Sequence, residues 1–475
     1  MASGAGERSS MHPGEVVVMV PSGMLGSGIT LEHVQRGIAQ GADVIALDSG
    51  STDSGPAYLA RAVSKSSRES IRNDLQILIE QAQSAGIPLL IGSCGTSGTD
   101  TGVDWTADIV SEVASSLGIK PRIALLYSEQ GRPSIKAKNA AGKVRPLSPA
   151  APLTDAVVDA CEHIVALMGP EPYMEAVRRG AQIVLGGRTT DTAVLAAVPL
   201  MRGAGAGPAW HAAKIAECGG QCTVDPRSGG VLIRVGRTAF DVEPLEPTNR
   251  CTPTSVSAHM LYETADPFCL TEPGGTLDVT QALYSELDER VTRVTGSMWR
   301  PGPYTMKLEG AAGGPYQTVM LVGIRDPQVL MRLDEFATRM QAAMVERIRR
   351  SFGDEAGEFD VSLRIYGWNA VSGSPVPAGA APPREVGVLF VVTASTQSLA
   401  DAMAKSCNPY LLHFPVLPGT ELPSYAFPFS PAEISRGRVS EFLLNHIVEV
   451  SDGHELVRTR WLNLPDGAVE APTHA

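Results

Sequence analysis

The first part of the chain alternates two kinds of hydrophobic pattern. "EVVVMVPSG" (15–23), "ADVIALDSG" (42–50), "IPLLIGSCG" (87–95), "RIALLYSE" (122–129) and "AQIVLGG" (181–187) are continuous apolar runs stopped by small or polar residues. Between them, "TLEHVQRGIAQG" (30–41), "SRESIRNDLQILIEQAQSAG" (67–86) and "WTADIVSEVASSLG" (105–118) place apolar residues at helical spacing. "LTDAVVDACEH" (153–163) and "EPYMEAVRRG" (171–180) do the same and bracket a further apolar run, "IVALMG" (164–169). Runs without alternation read as strands buried on both faces, and strands alternating with helices build a parallel sheet covered on both sides. The pattern predicts an α/β fold, a doubly wound-like parallel sheet, over 15–205.

Near 205 the pattern changes. From 229 the runs shorten ("GGVLIRVG", "AFDVEPL", "RVTRVTGS", "YTMKLEG", "YQTVMLVGI"), a long helix follows at 330–353, and "FDVSLRIYGWN" and "EVGVLFVVTA" precede the helical "TQSLADAMAKSC". This is the signature of an α+β domain, expected over 206–465 and packed on the first. A chain of 475 residues exceeds one ordinary core, which agrees with two domains. Residues 1–14 and 466–475 read as flexible ends. No repeat of fixed period appears.

Three of the predicted strands end alike. "DSGSTD" (48–53), "GTSGTD" (95–100) and "GGRTTD" (186–191) each close a small-residue loop on Thr-Asp. Ligands of open parallel sheets bind beyond the carboxyl ends of the strands, so the three loops are expected to share one site. Ser49, Ser51, Thr52, Thr96, Ser97, Thr99, Thr189 and Thr190 supply hydroxyls there. Gly187 and the other loop glycines allow close backbone approach, and Arg188 is the cation placed to grip a carboxylate or phosphate. Asp48, Asp53, Asp100 and Asp191 are the candidate acids and bases, with Asp53 and Asp100 preferred, because a desolvated carboxylate can work near neutrality. The bland alternative is helix capping, for which Thr and Asp are favoured residues; Thr154-Asp155 reads as that alone.

Other motifs add less. "PSGMLGSG" (21–28) with Asp48 imitates a dinucleotide fingerprint, but its glycine order is GxxGxG, so an anion-cradling turn is the better reading. The four aspartates with their hydroxyls suit a divalent cation, whereas no His/Cys spacing indicates zinc. "CGGQC" (218–222) reads as an incidental turn. Cys94, at a strand end before a helix, is a candidate binding thiol. Lys307, Glu309, His211, His259, His413 and His446 complete the titratable candidates; no GxSxG marks a hydrolase.

A formal net charge of −12 argues against nucleic-acid binding while leaving room for an anionic small molecule. Seven scattered cysteines, no leader pattern and no apolar stretch near the ~18 residues of a membrane span point to a soluble cytoplasmic protein, expected to be a homo-oligomer.

Several segments together resemble one family. "PSGMLGSG", "ADVIALDSGSTDSGPAYL", "IGSCGTSGTD", "IVLGGRTTDTA", "WHAAKIAECGGQ", "TPTSVSAHMLYETADP", "YTMKLEGA", "YGWN", "EVGVLFVV" and "YAFPFSPAEISRGRVSEFLLNHIVEV" occur in the order of the acyclic terpene utilisation protein A family, over about 15–460. The resemblance implies a metabolic enzyme acting on a branched carboxylate or acyl-CoA. Members often carry a small C-terminal domain or have it encoded separately; the chain stops shortly after "NLPDG" (463–467), which implies a small partner subunit. Convergent polar loops without a redox fingerprint favour a lyase/hydratase or isomerase working by acid/base chemistry. The alternatives are a non-catalytic large subunit that needs its small partner, and a nucleotide-dependent oxidoreductase.

Overall fold

The computed structural model describes residues 14–463, apart from positions 263, 378, 418 and 420. The ends expected to be flexible lie outside the described residues, save for Gly14. The chain forms two compact units, Met1–Ala312 with Phe442–Ala475 and Gly313–Glu441. The change of pattern near 205 thus falls inside the first unit.

The first unit is built on strands β1 (Val16–Val20), β2 (Val44–Asp48), β3 (Leu89–Gly92), β4 (Ile123–Tyr127), β5 (Val144–Pro146), β6 (His163–Ala166), β7 (Ile183–Gly186), β8 (Val231–Val235) and β9 (Ala239–Pro244). Its main sheet has ten strands, and the centre β1-β2-β3-β7-β4 is parallel. Beyond β1, strands β8 and β9 and the hairpin of Leu283–Glu286 and Thr292–Thr295 continue antiparallel. Side chains of the central strands feed two cores in alternation: Val16, Val18 and Val20 pack on one face, Val17 and Met19 on the other. Helices Leu31–Ala39, Arg68–Ala85 and Asp100–Ser116 cover one face, and Glu171–Arg178, Asp191–Met201 and Ala206–Ala216 the other. A strand buried on both faces needs no polar alternation, which is why these runs are continuous.

One expected member of the series lies elsewhere. β6, from the run at 164–169, pairs antiparallel with Leu308–Ala311 of the strand Thr305–Ile324. The outer edge of β4 is taken by the antiparallel strand Arg458–Leu462, so no parallel edge is left for it.

The second unit has the α+β character expected of the C-terminal half. Val386–Ala394 pairs antiparallel with Phe359–Tyr366 and with Tyr316–Ile324, and its residues alternate between buried and half-buried. That period of two marks a sheet with one covered face; helices Leu333–Phe352 and Gln397–Leu412 join it in a single apolar core. Among the described residues, no helix is long and apolar enough to cross a membrane.

Candidate functional site

The chain path decides which residues meet at the carboxyl edge of the parallel strands. After β7 ends there, helix Asp191–Met201 runs away and helix Ala206–Ala216 returns, delivering residues 217–230 to the same edge before β8 descends beside β1. β9 then rises again, and the turn His259–Leu261 follows helix Pro253–Ala258. Backbones are packed closely here: a Cβ on Gly219, whose φ is +59°, would stand 2.6 Å from the nitrogen of Gly23. Gly219 of "CGGQC" therefore serves a contact with the loop after β1, and Gly220 a close approach to the backbone of Gly229.

Between these segments lies a cleft of about 650 Å³. Asp48, Ser51 and Asp53 from the loop after β2, Asp191, Glu217 with Cys218, and Tyr262 contribute to its wall, with Ser22 to Met24 from the loop after β1. Its lining cations are Lys65 and Arg227. Of the four predicted aspartates, the structure brings Asp48, Asp53 and Asp191 together here.

Asp48 is the last residue of β2 and is buried. Its Oδ2 accepts the Gly50 N–H at 3.0 Å, while its buried Oδ1 has no hydrogen-bond partner in the protein. Burial, with repulsion from Asp191, pushes the Asp48 carboxyl up to about 8, against the pull of Arg188. Burial also raises Asp191, opposed by Arg188 and Lys214 and reinforced by Asp53 and Glu309; its side chain keeps 30% exposure. Asp53 is exposed, and its Oδ2 accepts the Ser51 hydroxyl at 2.5 Å.

A second carboxylate group stands behind the first. Lys214 and Glu217, both buried at the end of helix Ala206–Ala216, pair at 2.5 Å. Burial pushes Glu217 up to about 8, with Asp191 and Glu272 adding repulsion that Lys214 opposes. Burial likewise lifts half-buried Glu272 to about 7. One donor atom each of Glu217, Cys218 and His259 lie within 4.8 Å of one another. Sequence reasoning passed over Lys214, Glu217 and Glu272. The i,i+3 spacing of Lys214 and Glu217 was the available signal, at the end of a helix buried along its length.

The remaining predicted residues form the frame. Arg188, expected to grip a ligand anion, is instead spent within the protein. Its Nε donates to Glu309 Oε2 (3.1 Å), Nη1 to Ser93 Oγ (3.2 Å) and Gly50 O (3.4 Å), and Nη2 to Thr52 Oγ1 (3.2 Å). Asp191 is a further neighbour at 3.6 Å. Burial works against Glu309, yet Arg188 and Lys307 hold its carboxyl below the usual carboxylate range. Thr52 joins the same buried network through Glu309 Oε1.

The loop after β3 is almost wholly buried. Gly98, with φ +65°, lets the backbone of Arg188 approach so closely that a Cβ would fall 2.1 Å from the Arg188 nitrogen. Thr96 Oγ1 accepts the Lys65 N–H, while the buried hydroxyls of Ser49 and Ser97 have no partner in the protein. Burial raises the Cys94 thiol, which suits an inert core cysteine rather than a reactive one. Thr189 bonds Tyr173, and Gly187 bonds back to Leu126 O. Thr99, Thr154 and Thr190 each cap the helix that follows, so capping accounts for these threonines.

Asp100 does not line the cleft. It opens helix Asp100–Ser116, pairs through Oδ2 with Arg458, and its N–H donates to Glu129, which in turn bonds His163 at 2.6 Å. The anion-cradling turn expected at 21–28 does cradle an anion, but one from its own chain: Asp74 accepts the N–H groups of Gly26 (2.7 Å), Gly28 (3.3 Å) and Ile29 (2.9 Å). Those donors are therefore not open to a dinucleotide pyrophosphate. Of the histidines, His211 is buried between Ser297 and Tyr284 and pushed down to about 3 by burial; His446 bonds Ala151 O; His413, in the second unit, bonds Pro423 O.

A mixed sheet whose central strands are parallel, with a cleft lined by carboxyl groups at their carboxyl edge, defines an α/β protein. The acyclic terpene utilisation family, AtuA, matches residues 21–233 and 238–439, and the chain belongs to that family. No curated protein and no solved structure matches the chain significantly.

Proposed function

We infer that the protein is a metabolic enzyme that moves a proton on a small branched carboxylate or its CoA thioester, as a hydro-lyase or an isomerase. One observation carries this reading: Asp48 is a buried carboxyl on the cleft, kept protonated near neutrality, with an oxygen that no protein group satisfies. Such a group can donate a proton at pH 7, and Asp191, more exposed and on the same cleft, is the complementary base. In the hydro-lyase direction Asp191 takes the proton α to the carbonyl while Asp48 protonates the departing β-hydroxyl. The C–H and C–O bonds break, the double bond forms and water leaves. An isomerase would return the abstracted proton at another carbon. Membership of a family tied to acyclic terpene utilisation supports a branched acyl substrate.

The test is solvent exchange. Candidate branched acids and their CoA thioesters are incubated with the protein in D2O, and deuterium entry is followed by mass spectrometry. The wild type should label one of them. Asp48→Asn and Asp191→Asn should each slow labelling by roughly 10²- to 10⁴-fold. Labelling at the wild-type rate in both variants would refute the assignment.

A further inference from the structure

We propose that Glu217, Cys218 and His259 form a divalent-metal site that opens into the cleft, with zinc the best-suited ion. The inference goes beyond the proton-transfer reading and stands without it.

Three donors of different chemistry converge. A carboxylate oxygen, a thiolate sulfur and an imidazole nitrogen lie within 4.8 Å of one another. Ligand atoms around a tetrahedral ion at ~2.0–2.3 Å are ~3–4 Å apart, which side-chain adjustment from separations within 4.8 Å can reach. Sequence spacing hid this group: Glu217 and Cys218 follow one helix, His259 another, and only the fold brings their ends to the same edge.

The second observation is His259 itself. Its side chain is buried, at 4% exposure, and its Nε2 has no hydrogen-bond partner in the protein. A buried imidazole nitrogen left without a partner costs free energy unless something else fills its valence. The ring is held by stacking on Tyr262, with centroids 5.4 Å apart.

In the bound state the Cys218 thiolate and the Glu217 carboxylate offset the charge of a dication. On binding, the Cys218 proton leaves to solvent and the sulfur takes its place on the ion. Mixed O/S/N donors favour zinc or a similar borderline ion over magnesium or calcium. Three protein ligands leave a fourth position, and Glu217 and Cys218 line the cleft, so that position faces a ligand. A metal there would also let a cleft walled by Asp48, Asp53, Asp191 and Glu217 accept an anionic substrate.

Cobalt titration tests the site without any substrate. The full chain, stripped with a chelator and checked for its native circular dichroism, is titrated with Co²⁺. One equivalent should survive desalting and give a thiolate-to-cobalt charge-transfer absorption. Cys218→Ser should abolish that band, and His259→Ala and Glu217→Gln should each weaken binding on the order of tenfold or more. Cys269→Ser, whose cysteine lies outside the trio, should leave it intact. Zn²⁺ should raise the melting temperature of the wild type. A folded wild type with no cobalt band, or a band that survives Cys218→Ser, would overturn the proposal. Asp48→Asn should still bind one equivalent of metal, so failure of the metal site and of the proton-transfer reading are separate results.

Discussion

Asp48 ends one parallel strand and Asp100 ends the loop after another strand of the same sheet; each leaves one buried carboxyl oxygen without a hydrogen-bond partner, yet the two differ in what surrounds them. Asp100 has a guanidinium of its own: Arg458 bonds its Oδ2, and Glu129 accepts its backbone N–H. Asp48 has no such direct cation. The guanidinium nitrogens of Arg188 are directed to Glu309, Ser93, Gly50 and Thr52, and act on Asp48 only as a nearby charge. One carboxylate opens a helix and closes an ion-pair network; the other is buried beside a second carboxylate on a cleft. A buried acid without a directly paired cation lowers stability, and such arrangements concentrate where chemistry uses them.

The largest expected effect is at Asp48. Asp48→Asn should cost roughly 10²- to 10⁴-fold in proton exchange on the substrate while leaving the fold intact. Its stability profile gives a second readout. The groups that face Asp48 electrostatically are Asp191, Arg188, Cys94 and Tyr173. Its folded pKa, about 8, lies above the ordinary value of 3.8. The proton it binds therefore favours the folded state; that stabilisation is complete below about pH 4 and is lost as pH rises through about 8. Asn mimics the protonated form, so the variant should match the wild type at pH 4 and melt above it at pH 9. Equal melting temperatures at both ends would show that Asp48 is not held neutral.

Next comes the frame behind the cleft. Arg188→Gln leaves the Glu309 carboxylate buried without its guanidinium, and breaking such a pair costs about 3–5 kcal/mol, readable by urea denaturation. Arg188→Lys should recover little of it, because one ammonium cannot serve acceptors that the planar fork reaches in several directions. At the loop after β1, Asp74→Asn removes the charge that three backbone N–H groups share and should cost about 1–3 kcal/mol. A loss near zero at either position would mean that the framework is not what holds these loops.

The parallel sheet could be read from the chain because a strand buried on both faces writes a continuous apolar run, as in Val16–Val20 and Val44–Asp48. Strand-end loops were legible for the same reason: they are local. What each loop residue does was less so. Thr99 and Thr190 cap the helices that follow them, a local role that competes with ligand binding; Arg188 serves Glu309, and the turn at 26–29 is filled by Asp74 from the middle of a helix, and these two depend on a partner far along the chain. Glu217, Cys218 and His259 are the extreme case. Their meeting depends on a returning helix and on an antiparallel addition to the sheet, neither of which leaves a spacing pattern.

The smallest expected effect is the one that most sharpens the contrast. Arg458 and Asp100 keep side-chain exposures of 41% and 32%, so solvent screens their attraction despite the close contact. Burial and Arg458 act on Asp100 in opposite directions, so Asp100→Asn should change stability by no more than about 0.5–1 kcal/mol, and Arg458→Met by a similar amount. Neither should alter proton exchange, because neither residue lines the cleft. A control follows from the geometry: 1 M salt should shrink the difference between wild type and Asp100→Asn, whereas the difference at Asp48 should persist, since burial rather than an exposed pair sets it. If Asp100→Asn slowed exchange as much as Asp48→Asn, the two strand ends would be equivalent and the cleft would not be the place where the chemistry happens.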